Sequence, residues 1–245
     1  MSGDYAMTLP AAPHAALSAI YGEAALAERP CLFSAVQVPL KAGDRASMAA
    51  VVAAMERVLA HPSYQAAVLG AALPADAPPR AAGACMGYDF HLGADGPKLI
   101  EINTNAGGLA LVADLMNAWG LPGETLLDAT VAMFRHEWAI EQGERRPLRR
   151  IAIVDDAPET QFLSLEFQRF KALFESHGIA AVVADPGELS WDAAAGRLLH
   201  QGQGVDLVYN RLTDFALHDA AHAPLLNAWS ARAVVVTPHP LIHRL

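Results

Sequence analysis

The sequence predicts an α/β protein with an open parallel sheet in its C-terminal half. Residues 149–240 contain four apolar runs of strand length, and patterns typical of helices separate each run from the next. Two further strand-like runs at residues 85–105 flank an Asp-Gly turn, which is typical of a β-hairpin. The hydrophobic content of 53% is sufficient for a buried core. We therefore expect a hairpin with helices, followed by alternating strands and helices.

Helices dominate the prediction for the N-terminal half. Alanine-rich helices are predicted at residues 13–27 and 45–61, where apolar residues recur at helical spacing. Residues 72–84 are rich in Ala and Pro and are predicted to form a loop. The predicted hairpin pairs CMGYDFHL with KLIEINTN, and two helices follow it, LALVADLMNAW and ETLLDATVAMFRHEWAIEQ.

A polar segment, GERRPLRR, is the predicted linker between an N-terminal part at residues 1–145 and a C-terminal part at residues 146–245. After this linker, buried strands alternate with helices, which is the pattern of a parallel sheet. The predicted strands are RRIAIVDD, IAAVVADP, VDLVYNRL and AVVVTPHP. The predicted helices are TQFLSLEFQRFKALFESHG, DAAAGRLLHQG and HAPLLNAWSA.

Composition argues against several classes of protein. The net charge of −9, without a basic tract, argues against a broad nucleic-acid surface. No apolar run reaches the length of about 18 residues that indicates a membrane span, and the N-terminus does not resemble a signal peptide. Cys31 and Cys85 form no CxxC pair and indicate a reducing, cytoplasmic location. We therefore expect a cytoplasmic protein that acts on small molecules, and a homo-oligomer is left open.

A polar cluster is predicted on the hairpin. Side chains alternate between the two faces of a strand, so Glu101, Asn103 and Asn105 are expected to share one face. A short hairpin can bring Asp89 opposite Glu101. Carboxylate and amide oxygens suit Mg²⁺, which keeps some waters and shares its remaining ligands with substrate phosphates. The alternative is a solvent-facing strand that binds nothing and ends in a turn.

Two glycines follow this polar cluster. Gly107 and Gly108 come directly after Asn105 and Ala106, and they precede a predicted helix. Glycine permits a close approach of the backbone, and the N-terminus of a helix favours an anion. The segment is therefore predicted to contact phosphate.

The segment DFHLGADGPKLIEINTNAGG resembles the metal-binding hairpin of the ATP-grasp ligases. The resemblance implies that Asp89, Glu101 and Asn103 hold Mg²⁺ against the phosphates of ATP. It also implies that Asn105 and the two glycines after it contact phosphate or acyl oxygens. ATP-grasp enzymes typically activate a carboxylate as an acyl phosphate and then join it to an amine. The expected cofactors are ATP and Mg²⁺, and the expected partners are a small-molecule carboxylate and an amine.

The order of the parts resembles the circularly permuted ATP-grasp group, which includes proteins similar to glutathionylspermidine synthetase. There the hairpin comes before a substrate-side, pre-ATP-grasp-like α/β domain, and the segment VDLVYNRLTDF fits that domain. The resemblance implies that Arg211 and Asn105 act in catalysis, with Arg211 binding the acid substrate. ATP-grasp sites also need a lysine-bearing lobe, but Lys41, Lys98 and Lys171 all lie outside any glycine-rich nucleotide loop. We therefore expect this chain to be a shortened form without the nucleotide lobe.

Alternatives stay open for the residues outside the hairpin. Arg211 follows a buried strand and could equally form a salt bridge that caps a helix. Asp155 ends the first strand of the C-terminal part, where it would either orient substrate or cap the next helix. Glu166 is expected to be an exposed carboxylate on its helix.

Two other functions stand beside the ligase. A non-catalytic binding or partner module would retain the scaffold but lack the nucleotide lobe. An unrelated Rossmann-like enzyme would have a pocket only at the strand ends of residues 149–240, with nothing at Glu101.

Overall fold

The structure, a computed structural model, describes residues 9–70, 80–144 and 146–245. Within these residues the α-helices are α1 (Ala11–Tyr21), α2 (Glu23–Ala27), α3 (Ala42–Leu59), α4 (Pro62–Leu69), α5 (Leu109–Ala118), α6 (Gly123–Gln142), α7 (Ser164–Ser176) and α8 (Ala223–Ser230). The strands are β1 (Gly87–Gly93), β2 (Gly96–Asn103), β3 (Arg150–Val154), β4 (Ala180–Ala184), β5 (Leu189–Asp192), β6 (Arg197–His200), β7 (Gln203–Gly204), β8 (Leu207–Asn210) and β9 (Val235–Thr237). Most of the predicted loop at residues 72–84 lies outside the described residues.

The C-terminal half contains a four-stranded parallel sheet in the order β4-β3-β8-β9. Ile151 of β3 pairs with Ala181 on one side and with Leu207 on the other, and Val208 pairs with Val236. The inner strands are buried on both faces, which explains their continuous runs of apolar residues. The prediction of an α/β fold with a parallel sheet is confirmed, and all four predicted strands are present.

The helix predicted at DAAAGRLLHQG is wrong. Its residues belong to a three-stranded antiparallel sheet in the order β5-β6-β7. Asp192 Oδ1 accepts a hydrogen bond of 2.9 Å from the Ala195 N–H, and Gly196 has a φ of +60°, so the alanines form a turn. Leu198 and His200, two residues apart, are both buried. This spacing is that of a strand, and the burial of β6 overrides the helix propensity of alanine.

The other predicted helices are present with shifted ends. The helix predicted at residues 13–27 is interrupted at Gly22, whose φ of +84° separates α1 from α2. The helix predicted at residues 45–61 is α3, which begins three residues earlier. None of the helices in the described parts of the chain combines the length and the apolar character needed to span a bilayer.

Helices α5, α6 and α7 cover one face of the parallel sheet. Their apolar side chains form one core with β3 and β8, in which the ring of Phe134 contacts those of Phe174 and Tyr209 at centroid distances of 5.0 and 4.9 Å. Helix α8 and the β5–β6 hairpin cover the other face, where Leu198 and Leu225 are buried. The first core therefore contains residues from both sides of the predicted domain boundary at residues 145 and 146.

A buried ion pair connects the N-terminal helices to α7. The carboxylate of Asp114, on α5, accepts hydrogen bonds of 2.7 and 2.9 Å from Nε and Nη2 of Arg169, on α7. The hydroxyl of Tyr21, at the end of α1, donates to the same carboxylate at 2.6 Å. Asp114 is fully buried, and these three donors compensate for its desolvation. Helices α1, α5 and α7 are thus fixed relative to one another.

Candidate functional site

The hairpin brings the three predicted metal-binding residues together. Asp89 of β1 pairs with Glu101 of β2, as predicted. The side-chain amide of Asn103 donates at 2.9 Å to Glu101 Oε1 and at 3.3 Å to Asp89 Oδ2. The register shifts at a bulge directly after Asp89, on the side of the turn. The three side chains, which we call the hairpin cluster, lie at the open end of the hairpin.

The hairpin cluster has the donor chemistry of a magnesium site. Asp89 and Glu101 are exposed and offer the carboxylate oxygens that hydrated Mg²⁺ prefers. The Asn103 amide now donates hydrogen atoms to both carboxylates, whereas magnesium would require its oxygen, and the two orientations of an amide differ only in their hydrogen bonds. Within the described residues, no group of three or more His, Cys, Asp or Glu side chains is arranged to hold a metal ion. A metal here would therefore depend on Asn103 and on water.

Asn105 does not join the hairpin cluster. Strand β2 ends at Asn103, and the chain then turns toward the parallel sheet. Asn105 Oδ1 accepts a hydrogen bond of 2.6 Å from Nη1 of Arg211, and its amide donates to the Leu212 carbonyl at 3.3 Å. The expectation that Asn105 shares a strand face with Glu101 is wrong, because the strand stops before it.

Arg211 is a buried guanidinium at the carboxyl end of β8. Its Nη1 donates to the carbonyl oxygens of Asn105 and Ala106 at 3.0 and 2.8 Å, in addition to the Asn105 side chain. Its Nε is buried without a hydrogen-bond partner. The ion pairs of the described residues do not include Arg211, so the helix-capping salt bridge considered for it is not observed. Its charge nevertheless acts to lower the pKa of Glu166 and of Asp155, so both carboxyl groups lie near it without direct contact.

Glu166 caps the helix that follows the hairpin. Its carboxylate accepts hydrogen bonds of 2.8 Å from the Gly108 N–H and 3.0 Å from the Ala110 N–H at the start of α5. Glu166 is 1% exposed, so the expectation of an exposed carboxylate is wrong. Burial raises the pKa of its carboxyl, while the Gly108 hydrogen bond and the charge of Arg211 oppose the rise. A phosphate at this helix end would have to compete with Glu166 for these donors.

Gly107 and Gly108 precede α5, beside the Glu166 cap. A Cβ on Gly107 would lie 2.3 Å from Leu163 Cδ1 and 3.0 Å from Arg211 Nη2. Gly108 has a φ of +93°, in the left-handed region that favours glycine. Side chains of the protein itself approach Gly107, whereas a Cβ on Gly108 would meet nothing within 4 Å. Contact of either glycine with phosphate stays a prediction.

A cleft of about 490 Å³ lies between the end of β2 and the carboxyl ends of β3 and β8. Open α/β sheets bind ligands at this edge. The cleft adjoins the hairpin cluster through Asn103. Its lining includes four polar and two aromatic side chains: Asn103, Asn105, Asp155, Arg211, Phe162 and Phe215. Burial raises the pKa of the Asp155 carboxyl to about 6, although a hydrogen bond from the Asp156 N–H and the charge of Arg211 lower it.

His222 connects the loops beside this cleft and was not found from the sequence. Its Nδ1 lies 2.8 Å from Asp214 Oδ2 and its Nε2 lies 3.0 Å from Asp156 Oδ1. Burial opposes protonation of His222, but the hydrogen bonds to the two carboxylates outweigh it and raise its pKa. Burial likewise acts to raise the pKa of Asp214, and hydrogen bonds from Asp219 and His222 lower it overall. Through these two contacts, the imidazole connects the segments that follow β3 and β8.

Another cavity, of about 290 Å³, lies against Trp229 and His239 on α8 and after β9. His239 is its most buried polar side chain, and its Nε2 lies 3.1 Å from the Ala81 carbonyl oxygen. Its Nδ1 accepts a hydrogen bond of 3.2 Å from the Leu241 N–H. Because both ring nitrogens are engaged, this cavity offers no buried unpaired group to a ligand, and we place the candidate site in the cleft at Arg211.

No model of a known protein family matches the chain. No curated protein sequence matches it significantly either.

Proposed function

We propose that the chain is part of an ATP- and Mg²⁺-dependent carboxylate–amine ligase of the circularly permuted ATP-grasp type, acting through an acyl phosphate. The observation that carries the proposal is the convergence of Asp89, Glu101 and Asn103 beside a cleft that contains a buried arginine. The resemblance to ATP-grasp hairpins gives this convergence its chemical meaning. The lysine-bearing lobe is assigned to sequence other than these 245 residues.

The residues of this chain have separable tasks under the proposal. The carboxylates of the hairpin cluster would hold Mg²⁺, which would neutralise phosphate charge when bound. Arg211 binds the acid substrate, and its Nη1 keeps the Asn105–Ala106 backbone at the mouth of the cleft. Asn105 presents its amide between the hairpin and the cleft, where it would contact an acyl or phosphate oxygen.

A non-catalytic binding module is the second candidate. The absence of a three-carboxylate or histidine-containing metal group from the described residues favours it, because two exposed carboxylates with an amide bind Mg²⁺ weakly by themselves. In that case the cleft would bind a ligand and the hairpin cluster would be a polar surface of the scaffold.

Calorimetric titration of Mg·ATP separates the two candidates. The titration is made into the 245-residue chain and into the longest product of the same gene. We expect the longer product to bind, and the Glu101→Gln variant to bind at least about tenfold more weakly, because a metal ligand is lost.

The matched control is Asp95→Asn, which removes the same charge from the turn of the same hairpin and leaves the cluster intact. Equal weakening by both substitutions would indicate a general charge effect and contradict the metal site. No binding by either protein, with the longer product shown to be folded, would reject the ligase and leave the binding module.

A further inference from the structure

Asp155 and Arg211 are two opposite charges at adjacent strand ends, and neither is in direct contact with a counter-ion among the described residues. The register of the parallel sheet sets Val154 beside Asn210, so the next residue on each strand lies at the same edge. The Arg211 N–H donates to the Val154 carbonyl at 2.8 Å, which keeps the two strand ends in register. Neighbouring strands are about 4.8 Å apart, so both side chains start from adjacent points. Neither forms an ion pair within the described parts of the chain.

Both charged groups are buried. Asp155 is 9% exposed and Arg211 is 8% exposed. Asp155 Oδ1 accepts a hydrogen bond of 2.9 Å from the Asp156 N–H, and no described donor reaches Oδ2. Nε of Arg211 is unpaired but fully buried, so a ligand in the cleft would meet Nη2, for which no acceptor is present among the described residues. Charged groups taken out of water without partners are costly, so a ligand that supplies both partners would be stabilised here.

The cleft also presents an aromatic wall. Phe162 is 59% exposed and Phe215 is 45% exposed, and both line the same cleft as the charged pair. The Phe215 ring stacks on His243 with centroids 4.3 Å apart and planes at 19°, which limits its movement. Large apolar side chains exposed beside convergent polar groups are typical of small-molecule sites. The ligand is therefore expected to carry an apolar group as well as two charges.

We propose that the cleft binds a free α-amino acid with an apolar side chain. Arg211 takes its carboxylate and Asp155 takes its ammonium group, while Phe162 and Phe215 contact its side chain. An α-amino acid carries both charges on one carbon, which matches two oppositely charged residues at adjacent strand ends. The proposal deepens the ligase function and rests on it for the role of the amino acid as a substrate.

The ionisation of Asp155 is consistent with this ligand. Its pKa, raised by burial to about 6, leaves the carboxylate ionised at neutral pH. At neutral pH an α-amino acid is a zwitterion, since its carboxyl group titrates well below pH 7 and its amino group titrates above it.

Binding is tested by calorimetry without nucleotide or metal, with L-phenylalanine and L-leucine as probes. Three analogues each lack one feature: N-acetyl-L-phenylalanine has no ammonium, L-phenylalaninamide has no carboxylate, and glycine has no side chain. We expect each analogue to bind at least about tenfold more weakly than L-phenylalanine, because hydrogen bonds to charged groups contribute at least that factor.

Substitutions of Asp155 and Arg211 test which residue binds the ammonium group and which binds the carboxylate. Asp155→Asn is expected to weaken the binding of L-phenylalanine by at least about tenfold and to leave the binding of N-acetyl-L-phenylalanine unchanged. The control Glu159→Gln removes the same charge four residues away, at an exposed carboxylate, and should leave the affinity unchanged. Arg211→Lys keeps the charge but loses the planar set of guanidinium N–H donors. It should weaken the binding of L-phenylalanine and of L-leucine to the same extent.

The proposal is overturned if N-acetyl-L-phenylalanine binds as tightly as L-phenylalanine, if Asp155→Asn has no effect, or if the folded chain binds neither amino acid. These outcomes differ from failure of the ligase proposal, which is measured by Mg·ATP and Glu101→Gln. Amino-acid binding by the folded chain, with no Mg·ATP binding by the longer product, would support the cleft and reject the ligase. ATP binding without amino-acid binding would do the reverse.

Discussion

Asn105 Oδ1 accepts a hydrogen bond of 2.6 Å from Nη1 of Arg211, 106 residues further along the chain. The same nitrogen donates to the carbonyl oxygens of Asn105 and Ala106. One guanidinium therefore connects the loop after the hairpin to the carboxyl edge of the parallel sheet. The metal-binding and substrate-binding halves of the proposed site meet at this contact.

Replacing these two residues should reveal their coupling. Arg211→Met leaves two carbonyl oxygens and the Asn105 side chain unpaired, and we expect it to lower the free energy of unfolding by about 2–3 kcal/mol. Asn105→Ala should lower the free energy of unfolding by about 1 kcal/mol. The double variant should lose about 1 kcal/mol less than the sum, measured by urea denaturation of all four proteins. Additivity within about 0.3 kcal/mol would contradict the contact.

The cap on α5 predicts different costs for two glutamates of α7. Glu166→Ala leaves the N–H groups of Gly108 and Ala110 unpaired, so we expect a loss of about 1–3 kcal/mol in the free energy of unfolding. Glu175→Ala, on the same helix, removes only an exposed pair with Lys171 and should change it by less than about 0.5 kcal/mol. Similar losses in urea denaturation would show that Glu166 does not act as a cap.

Gly107 should tolerate a methyl group at a small cost. Gly107→Ala brings a Cβ within 2.3 Å of Leu163 Cδ1, but this atom ends a flexible side chain that can turn away, so we expect a loss of up to about 1 kcal/mol in the free energy of unfolding. Gly43→Ala, where a Cβ would meet nothing within 4 Å in α3, should be neutral or stabilise by up to about 1 kcal/mol. Thermal unfolding of both variants checks the contrast. A loss of more than about 3 kcal/mol for Gly107→Ala would mean that Leu163 cannot turn away.

His222 should give the protein a pH-dependent stability. Its raised pKa means that its contribution is complete below the ordinary value of 6.5 and is lost as the pH rises through the folded-state pKa. The lowered pKa of Asp214 means that its contribution is complete above 3.8 and is lost as the pH falls. Both contributions are present between these values.

The difference in unfolding free energy between the natural chain and His222→Gln should therefore be larger at about pH 5.5 than at about pH 8.5. His218→Gln, at an exposed histidine of the same loop, is the matched control. NMR titration should show His222 titrating above the ordinary pKa of histidine. A pH-independent effect of His222→Gln would mean that the imidazole is neutral between its two carboxylates.

The parallel sheet could be predicted because its strands are short apolar runs, such as the one in β3, separated by helices. The hairpin itself was also predictable from its Asp-Gly turn. The register at the turn, in which Phe90 pairs with Leu99, would place Asp89 opposite Ile100, and the bulge between Asp89 and Phe90 shifts it to Glu101. The local pattern therefore predicts the sheet and the hairpin, whereas the bulge that completes the pairing has no such signal.

The features that the sequence did not predict depend on distant partners. Glu166 looks like a surface residue, yet it lies at helical spacing from Phe170, Leu173 and Phe174, which are buried. A carboxylate within an apolar stripe was the available signal, but its partners are 56 and 58 residues away. The β5–β6 hairpin was missed because its turn is made of alanines, and only Gly196 and the spacing of Leu198 and His200 indicated strands.

The shared core has a consequence for dividing the chain. Phe134 of α6 packs against Phe170 and Tyr209, and Arg169 binds Asp114 across the same seam. A protease cut in residues 146–149 would leave two pieces, each with half of one apolar interior exposed. Neither piece should be soluble alone, and together they should reassemble as a split protein. The predicted linker can thus be cut by a protease, but the fold requires both fragments.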